Sequence, residues 1–322
     1  MRAVQVVRLE GPSAVELADI DEPARRDDQV LIEVSAAGVT FPDVLLTRGE
    51  YQIKPDLPFV PGSEVAGIVR SAPGGAALHP GDRVAAFTGF GGFAELAVAD
   101  AAAVFPLPDS VSLATGASLP MNYLTAHFAL TRRGRLRPGE TVLVHGAAGG
   151  VGTAAAQLAS ALGARVIAVV SSETKGEVAR TAGAADVVLA DGFLAAVKDL
   201  TAGRGVDIVV DPVGGDRFTD SMRSLAPEGR MLVIGFAGRQ IPTVKVNRLL
   251  LNNIDLVGVG WGAFWLPRPR YLQEQWADLL PLVESGKLAP PPGSRYPLDQ
   301  ATAALAELDE RRAAGKVLLT VK

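Results

Sequence analysis

The chain has 322 residues, 48% of them hydrophobic and 20% charged, with 31 Lys and Arg against 35 Asp and Glu, a formal net charge of −4. That length suits two cores rather than one, and the charge balance argues against nucleic acid as a partner. The absence of cysteine excludes disulfides, thiolate catalysis and cysteine-ligated zinc.

The start, MRAVQVVRLEGPS, lacks a secretory apolar core. The first third reads as β-rich, with short apolar or alternating stretches at 30–34, 65–69, 83–87 and 93–98. Pro61-Gly62, Pro73-Gly74-Gly75, Pro80-Gly81-Asp82 and the glycines of 89–92 punctuate it as turns. Such spacing predicts a small barrel or sandwich. The texture changes near Ser112, with helices expected at 113–119 and 125–132. From 141 onward short apolar strands (141–144, 165–170, 187–190, 206–210, 230–234 and 254–259) alternate with helices (153–162, 173–182, 193–201 and 218–225). That alternation means βαβ units and a parallel sheet. The stretch 153–170 is the most apolar, but Gln157, Ser160, Gly163 and Arg165 interrupt it, so no membrane span is expected and the chain reads as cytoplasmic. The tail adds helices at 271–285 and 301–312 and a strand at 316–321.

His145-Gly146-Ala147-Ala148-Gly149-Gly150-Val151-Gly152 lies between a strand and a helix. A helix start offers unpaired N–H groups and a partial positive charge, and therefore draws phosphate. Gly149, Gly150 and Val151 are the candidate pyrophosphate contacts, and Gly152 lets the helix pack close to the sheet. A site preferring NAD carries an acid about 20 residues on, against the ribose. Here the second strand ends in Ser171-Ser172 with Lys175 beyond, a set that suits a 2′-phosphate, although Lys175 on a solvated helix face is the competing reading. The loops Pro212-Val213-Gly214 and Gly235-Phe236-Ala237 follow strands at the same carboxyl edge and are further cofactor candidates.

Gly38-Val39-Thr40-Phe41-Pro42-Asp43, Pro61 to Gly67, Pro80 to Val84, Asn122 to Ala126, the glycine turn, Asp211 to Gly215 and Gly315-Lys316-Val317 together resemble the zinc-independent branch of the medium-chain dehydrogenase/reductases, in particular quinone oxidoreductases of the zeta-crystallin type. The resemblance runs over the whole chain. It implies an α/β protein: a GroES-like β-rich catalytic domain (1–119), a Rossmann domain of doubly wound parallel sheet (120–259), and a C-terminal segment (260–322) returning to the first. It also implies NADPH, held in a cleft between domains. Ser63 stands where the zinc branch places a ligand histidine, and His79, His127 and His145 have no ligand spacing, so no metal is expected. His145 reads as shaping or lining the glycine turn.

Without a Lewis acid the hydride acceptor must already be activated, which points to a small quinone or an α,β-unsaturated carbonyl. Tyr51 is the candidate proton donor or a wall of the pocket, and Thr40 the candidate single hydrogen-bond donor to substrate or ribose. By resemblance Phe41 joins the cofactor set and Thr125 faces the nicotinamide. Asn122 and Thr125 are expected at a helix start, where capping competes with cofactor contact. Arg311, or its neighbour Arg312, is the candidate for the cofactor phosphates. Phe90, Trp261, Phe264 and Trp265 are candidates for an apolar acceptor wall. One alternative is an enoyl thioester reductase, with Arg48, Lys54, Arg268 and Arg270 as a basic entrance. Another is a non-catalytic NADPH binder. A homodimer is expected through an edge strand at 253–259.

Overall fold

A computed structural model describes residues 1–75 and 77–321. The chain divides into two units: Met1–Asn122, Pro269–Leu280 and Pro292–Lys322 in the first, and Tyr123–Arg268 with Pro281–Pro291 in the second. The first unit opens with strands β1 (Arg2–Val6), β2 (Val15–Asp19), β3 (Gln29–Gly38), β4 (Glu64–Ser71), β5 (Arg83–Phe87), β6 (Leu96–Asp100) and β7 (Val104–Pro106). The second contributes β8 (Thr141–His145), β9 (Arg165–Val170), β10 (Asp186–Leu189), β11 (Val206–Asp211), β12 (Leu225–Val233) and β13 (Asp255–Gly258). The end of the chain returns β14 (Pro292–Pro297) and β15 (Lys316–Thr320) to the first.

In the first unit β1 and β2 form a two-stranded ladder, and a seven-stranded sheet runs β14-β15-β3-β4-β5-β7 with β6 also paired to β3. Val30, Ile32 and Val34 alternate inward along β3 and are fully buried, as a strand with one face on a core requires. A buried ion pair ties the returning tail to this sheet. Lys316 Nζ of β15 lies 2.5 Å from Glu64 Oε1 of β4 and donates to Val39 O at 3.0 Å. Glu64 Oε2 accepts from Met121 N at 2.7 Å. Removing one partner of such a pair costs about 3–5 kcal/mol, because the other charge is left buried alone.

The second unit is one six-stranded parallel sheet, β10-β9-β8-β11-β12-β13. Counted from β8 that order is 3-2-1-4-5-6, the doubly wound arrangement, whose direction of winding reverses between β8 and β11. Its strands are near-continuous apolar runs because helices cover parallel sheets on both faces. Leu143, Ile167, Val209 and Met231 are wholly buried. β13 ends the sheet, paired to β12.

Two helices differ from expectation near the site. The helix expected at 125–132 runs Pro120–His127 and continues as a wider π turn, Phe128–Arg133. Proline is well suited to a first helical position, so the helix begins five residues earlier. Asn122 and Thr125 therefore sit inside it rather than at its cap. The helix expected at 153–162 is Gly150–Ala161 and takes in two glycines of the turn. Packing against the sheet overrides their poor helix propensity. Among the described residues no helix is long and apolar enough to cross a membrane.

Candidate dinucleotide and active sites

β8 ends at His145, and the chain turns at Gly146, whose φ of 58° is left-handed. Gly149 N donates to Gly146 O at 2.9 Å and closes the turn. Gly149 is then the extended N-cap of the twelve-residue helix Gly150–Ala161, and no side chain caps that helix. A Cβ on Gly152 would lie 2.1 Å from Gly146 O and 2.7 Å from Ala147 Cα, both rigid backbone. The helix start and the strand end thus approach as closely as they do only with glycine at 152. The result is a ring of backbone amides at the point where the strand order reverses, a cradle that fits a dinucleotide pyrophosphate.

The neighbouring loops are built for the same edge. Asp211 Oδ1 accepts from Val213 N at 2.8 Å and from Gly214 N at 2.9 Å, an Asx turn that fixes Pro212-Val213-Gly214. Burial raises the Asp211 carboxyl above its ordinary value, and these two donors hold it back only in part. Ala237 N donates to Pro212 O at 3.0 Å and Gly238 N to Val213 O at 2.8 Å, so the loop carrying Gly235, Phe236 and Ala237 is stitched to the one after β11. After β9, Ser171 and Ser172 are exposed. The Ser172 hydroxyl accepts from Lys175 N at 3.4 Å and caps the helix Glu173–Thr181, a duty that occupies one of its lone pairs. Partial burial pulls the Lys175 ammonium below its ordinary value, the condition of a cation that gains from an arriving anion.

The fold thus sets Gly149, Gly150, Val151, Ser171, Ser172, Lys175, Pro212, Val213, Gly214, Gly235, Phe236 and Ala237 along the carboxyl edge of one sheet. Asn122 and Thr125 are buried on the helix Pro120–His127. Arg311 belongs to the first unit, with φ 57° just past the helix Ala301–Asp309. His145 faces the core. Its Nε2 is 2.8 Å from Ser221 Oγ, and its ring meets Phe193 edge-on at 5.0 Å. Burial, then the charge of Arg217, pushes its pKa down to about 3, so the ring is neutral and acts in packing.

Thr40, Phe41 and Tyr51 lie in the first unit. Thr40 caps the helix Phe41–Thr47, and Asp43 at its third position reaches back, the acidic half of a capping box. Asp43 Oδ2 accepts from Thr40 N at 2.8 Å and from Thr40 Oγ1 at 2.5 Å, while Oδ1 accepts from Gly62 N at 3.1 Å. Thr40 Oγ1 is 3.4 Å from Ser63 Oγ. While Asp43 is ionised, the one Thr40 proton goes to it and the hydroxyl offers Ser63 a lone pair. Burial outweighs three donors and the charge of Lys316 and raises Asp43 to about 6. Sequence reasoning assigned Asp43 no role, although the Thr-x-x-Asp spacing of a capping box marks it. Two hydrogen-bonded hydroxyls without a thiolate or imidazole do not fit zinc, and among the described residues no cluster of three or more His, Cys, Asp or Glu could hold a metal. The Tyr51 phenol packs half-buried on the core of this unit, and burial, then the charge of Asp43, raises its pKa and keeps it protonated.

Of the basic entrance residues, Arg48 is bound to Asp309 at 2.6 Å. Arg268 lies over the Phe264 ring at 4.6 Å, as Arg132 does at 4.5 Å, and donates to Phe264 O. Both guanidiniums are engaged in holding structure. Phe264 also packs on Phe128, Trp261 on Trp265, and Phe90 edge-on to Phe59.

Residues 26–109 match the alcohol dehydrogenase GroES-like domain and residues 150–285 the zinc-binding dehydrogenase domain. With the doubly wound sheet behind the second match, they define a medium-chain dehydrogenase/reductase. The chain is 39% identical over 298 residues to quinone oxidoreductase-like protein 2 of Rattus norvegicus, covering 91% of this chain and 85% of that protein. It superposes with a TM-score of 0.92 on a solved "probable oxidoreductase" of Mycobacterium abscessus, at 46% identity, covering 100% of this chain and 99% of that one. It superposes with a TM-score of 0.87 on the quinone oxidoreductase of Thermus thermophilus, solved alone and in complex with NADPH, at 35% identity over 100% of both chains. The chain belongs to the quinone oxidoreductase family of the medium-chain dehydrogenase/reductases.

The depressed pKa of His145 fixes a pH dependence. Below its ordinary value of 6.5 the unfolded chain takes up a proton that the folded ring declines until about pH 3. Stability is therefore lost as pH falls through that window, by up to about 1.4 kcal/mol per unit. Asp43 acts oppositely between about 6 and 3.8, because its folded carboxyl holds the proton longer. Comparison with H145N cancels that contribution. Urea midpoints at pH 7 and 5 are expected to show H145N losing about 2 kcal/mol less than wild type on acidification; equal losses would mean that the ring titrates normally in the fold.

Proposed function

We propose that this chain is an NADPH-dependent, zinc-independent reductase that transfers hydride to a small quinone or an α,β-unsaturated carbonyl, and that it works as a homodimer. The observation that carries the reading is the amide cradle at the switch point, with the loops after β11 and β12 stitched to one another along the same edge, in a chain whose Thr40 and Ser63 supply hydroxyls and no metal ligands. When bound, the reduced nicotinamide supplies hydride. The amides of Gly150, Val151 and Gly152 would hold the pyrophosphate, with Gly149 leaving room for its approach. Ser171, Ser172 and Lys175 would meet the 2′-phosphate. The loops at 212–214 and 235–237, with Phe41, Asn122, Thr125 and Arg311, complete the proposed cofactor set. Tyr51, held protonated, would wall the acceptor pocket.

For a quinone no Lewis acid is required, since positioning and water exclusion supply most of the rate. Support for NADPH comes from family members solved with it, such as the Thermus thermophilus enzyme. Support for the dimer comes from the outer edge of β13 and from the nearby exposed side chains Ile241, Val246, Leu250 and Leu251, each 73–77% exposed. Light scattering at micromolar concentration should return twice 33.4 kDa; the mass of one chain would remove the dimer.

NADPH oxidation followed with a small quinone, and separately with an enoyl-CoA, tests the activity. Turnover of the quinone is expected; turnover of the thioester alone would replace this reading with the enoyl thioester reductase. Lys175→Ala should weaken NADPH about tenfold or more, the loss of a charge-assisted contact, and leave NADH within twofold. An equal loss for both would remove the 2′-phosphate assignment.

A further inference from the structure

Asp43 is wholly buried, while Thr40 and Ser63 each keep 4% of their surface exposed. The three side chains form one line: carboxylate, hydroxyl 2.5 Å away, second hydroxyl 3.4 Å further on. The Thr40–Ser63 contact permits either atom to donate. With Asp43 ionised, Thr40 donates to it and Ser63 donates to Thr40. With Asp43 protonated, every bond in the line reverses and the Ser63 hydrogen points outward. A chain of hydroxyls ending on a carboxyl is thus able to pass a proton in either direction.

Resting on the quinone reduction proposed above, we propose that Asp43, Thr40 and Ser63 form a proton relay that delivers the proton completing the reduced acceptor, with Asp43 as the buried reservoir. Hydride transfer adds two electrons and one hydrogen to the quinone and leaves one oxygen anionic. The Ser63 O–H bond breaks toward that oxygen, the proton of Thr40 moves to Ser63, and that of Asp43 moves to Thr40. Asp43 ends as a carboxylate and is restored by a proton from water, so the overall change is quinone, hydride and one proton to hydroquinone.

The surroundings favour this use. The groups facing Asp43 are the Thr40 and Gly62 amides, the Thr40 hydroxyl, the Lys316 ammonium and the Tyr51 phenol. Lys316 is itself neutralised by Glu64. Burial therefore dominates, and Asp43 exchanges its proton near pH 6, whereas burial and the charge of Asp43 both make Tyr51 a weaker acid. Asp43 acts through Thr40 and is a positioning residue. Ser63 is the relay member assigned to touch the acceptor.

Two measurements test the relay. In the cofactor-free protein, 13C NMR of labelled aspartate carboxyls, with D43N identifying the resonance, should give a midpoint near 6 for Asp43 that moves upward in T40V, where the donor to the ionised form is lost. In the NADPH-loaded protein, kcat for a small quinone should fall up to tenfold per pH unit above about 6. T40V and S63A should lower kcat at pH 6 at least tenfold and flatten that profile, with NADPH affinity within twofold of wild type, and S63T should restore the profile. A profile unchanged in T40V and S63A but flattened in Y51F would overturn the relay and make the tyrosine the proton source. An Asp43 midpoint that T40V leaves in place would also overturn it. Absence of quinone turnover in the wild type would instead remove the parent reading, and the relay's catalytic role with it.

Discussion

A Cβ at residue 152 would stand 2.1 Å from the carbonyl oxygen of Gly146, and the second unit is arranged around the space that glycine leaves there. With that space open, the helix Gly150–Ala161 starts directly against the end of β8. Its uncapped amides then sit where the sheet reverses its winding, between β8 and β11. Asp211 folds the next loop over the same edge by accepting two backbone hydrogens, and the loop after β12 is bonded to that one in turn. Each of these is a local backbone arrangement, and together they make an anion cradle without a single basic side chain. His145, the last residue of β8, packs as a neutral, buried ring against Ser221 and Phe193.

The first unit solves a different problem, which is how to bury charge beside chemistry. Glu64 and Lys316 cancel one another at 2.5 Å and bind the returning strand β15 to β4. Asp43 has no such exclusive partner. It spreads its charge over two amides and a hydroxyl, and burial still raises it to about 6. The same capping box that starts the helix Phe41–Thr47 therefore holds the Thr40 hydroxyl against that carboxyl. Ser63, held by backbone bonds from Thr88 and Gly89 to its carbonyl, extends the line. Side chains that do not suit a metal become a set of oxygens able to move a proton.

Much of this was legible in the chain itself, because its main signals are local. Strand-turn-helix texture around 141–162 and the recurrence of expected strands every 19 to 24 residues identify a doubly wound sheet. The glycine run, the serines after β9 and the loops after β11 and β12 follow from that topology. Less legible were features decided by contacts far apart in sequence. Nothing local shows that Asp309 takes the guanidinium of Arg48, 261 residues away, or that Phe264 is clasped by Arg132 and Arg268. The capping box of Thr40 and Asp43 was in the sequence, but the burial that raises the carboxyl to about 6 was not. The helix starts at Pro120 and Gly150 were misplaced because proline and glycine read as breakers until their positions at a first turn are known.

The central claim is that the nucleotide lies on the cradle with its 2′-phosphate toward the tip of β9. A crystal structure of the protein with NADP+ tests it most directly. The account predicts pyrophosphate oxygens within hydrogen-bond distance of the amides of residues 150–152, and the 2′-phosphate against Ser171, Ser172 and Lys175. Pyrophosphate bound away from those amides, or an adenosine ribose with its 2′ position turned from Lys175, would contradict it.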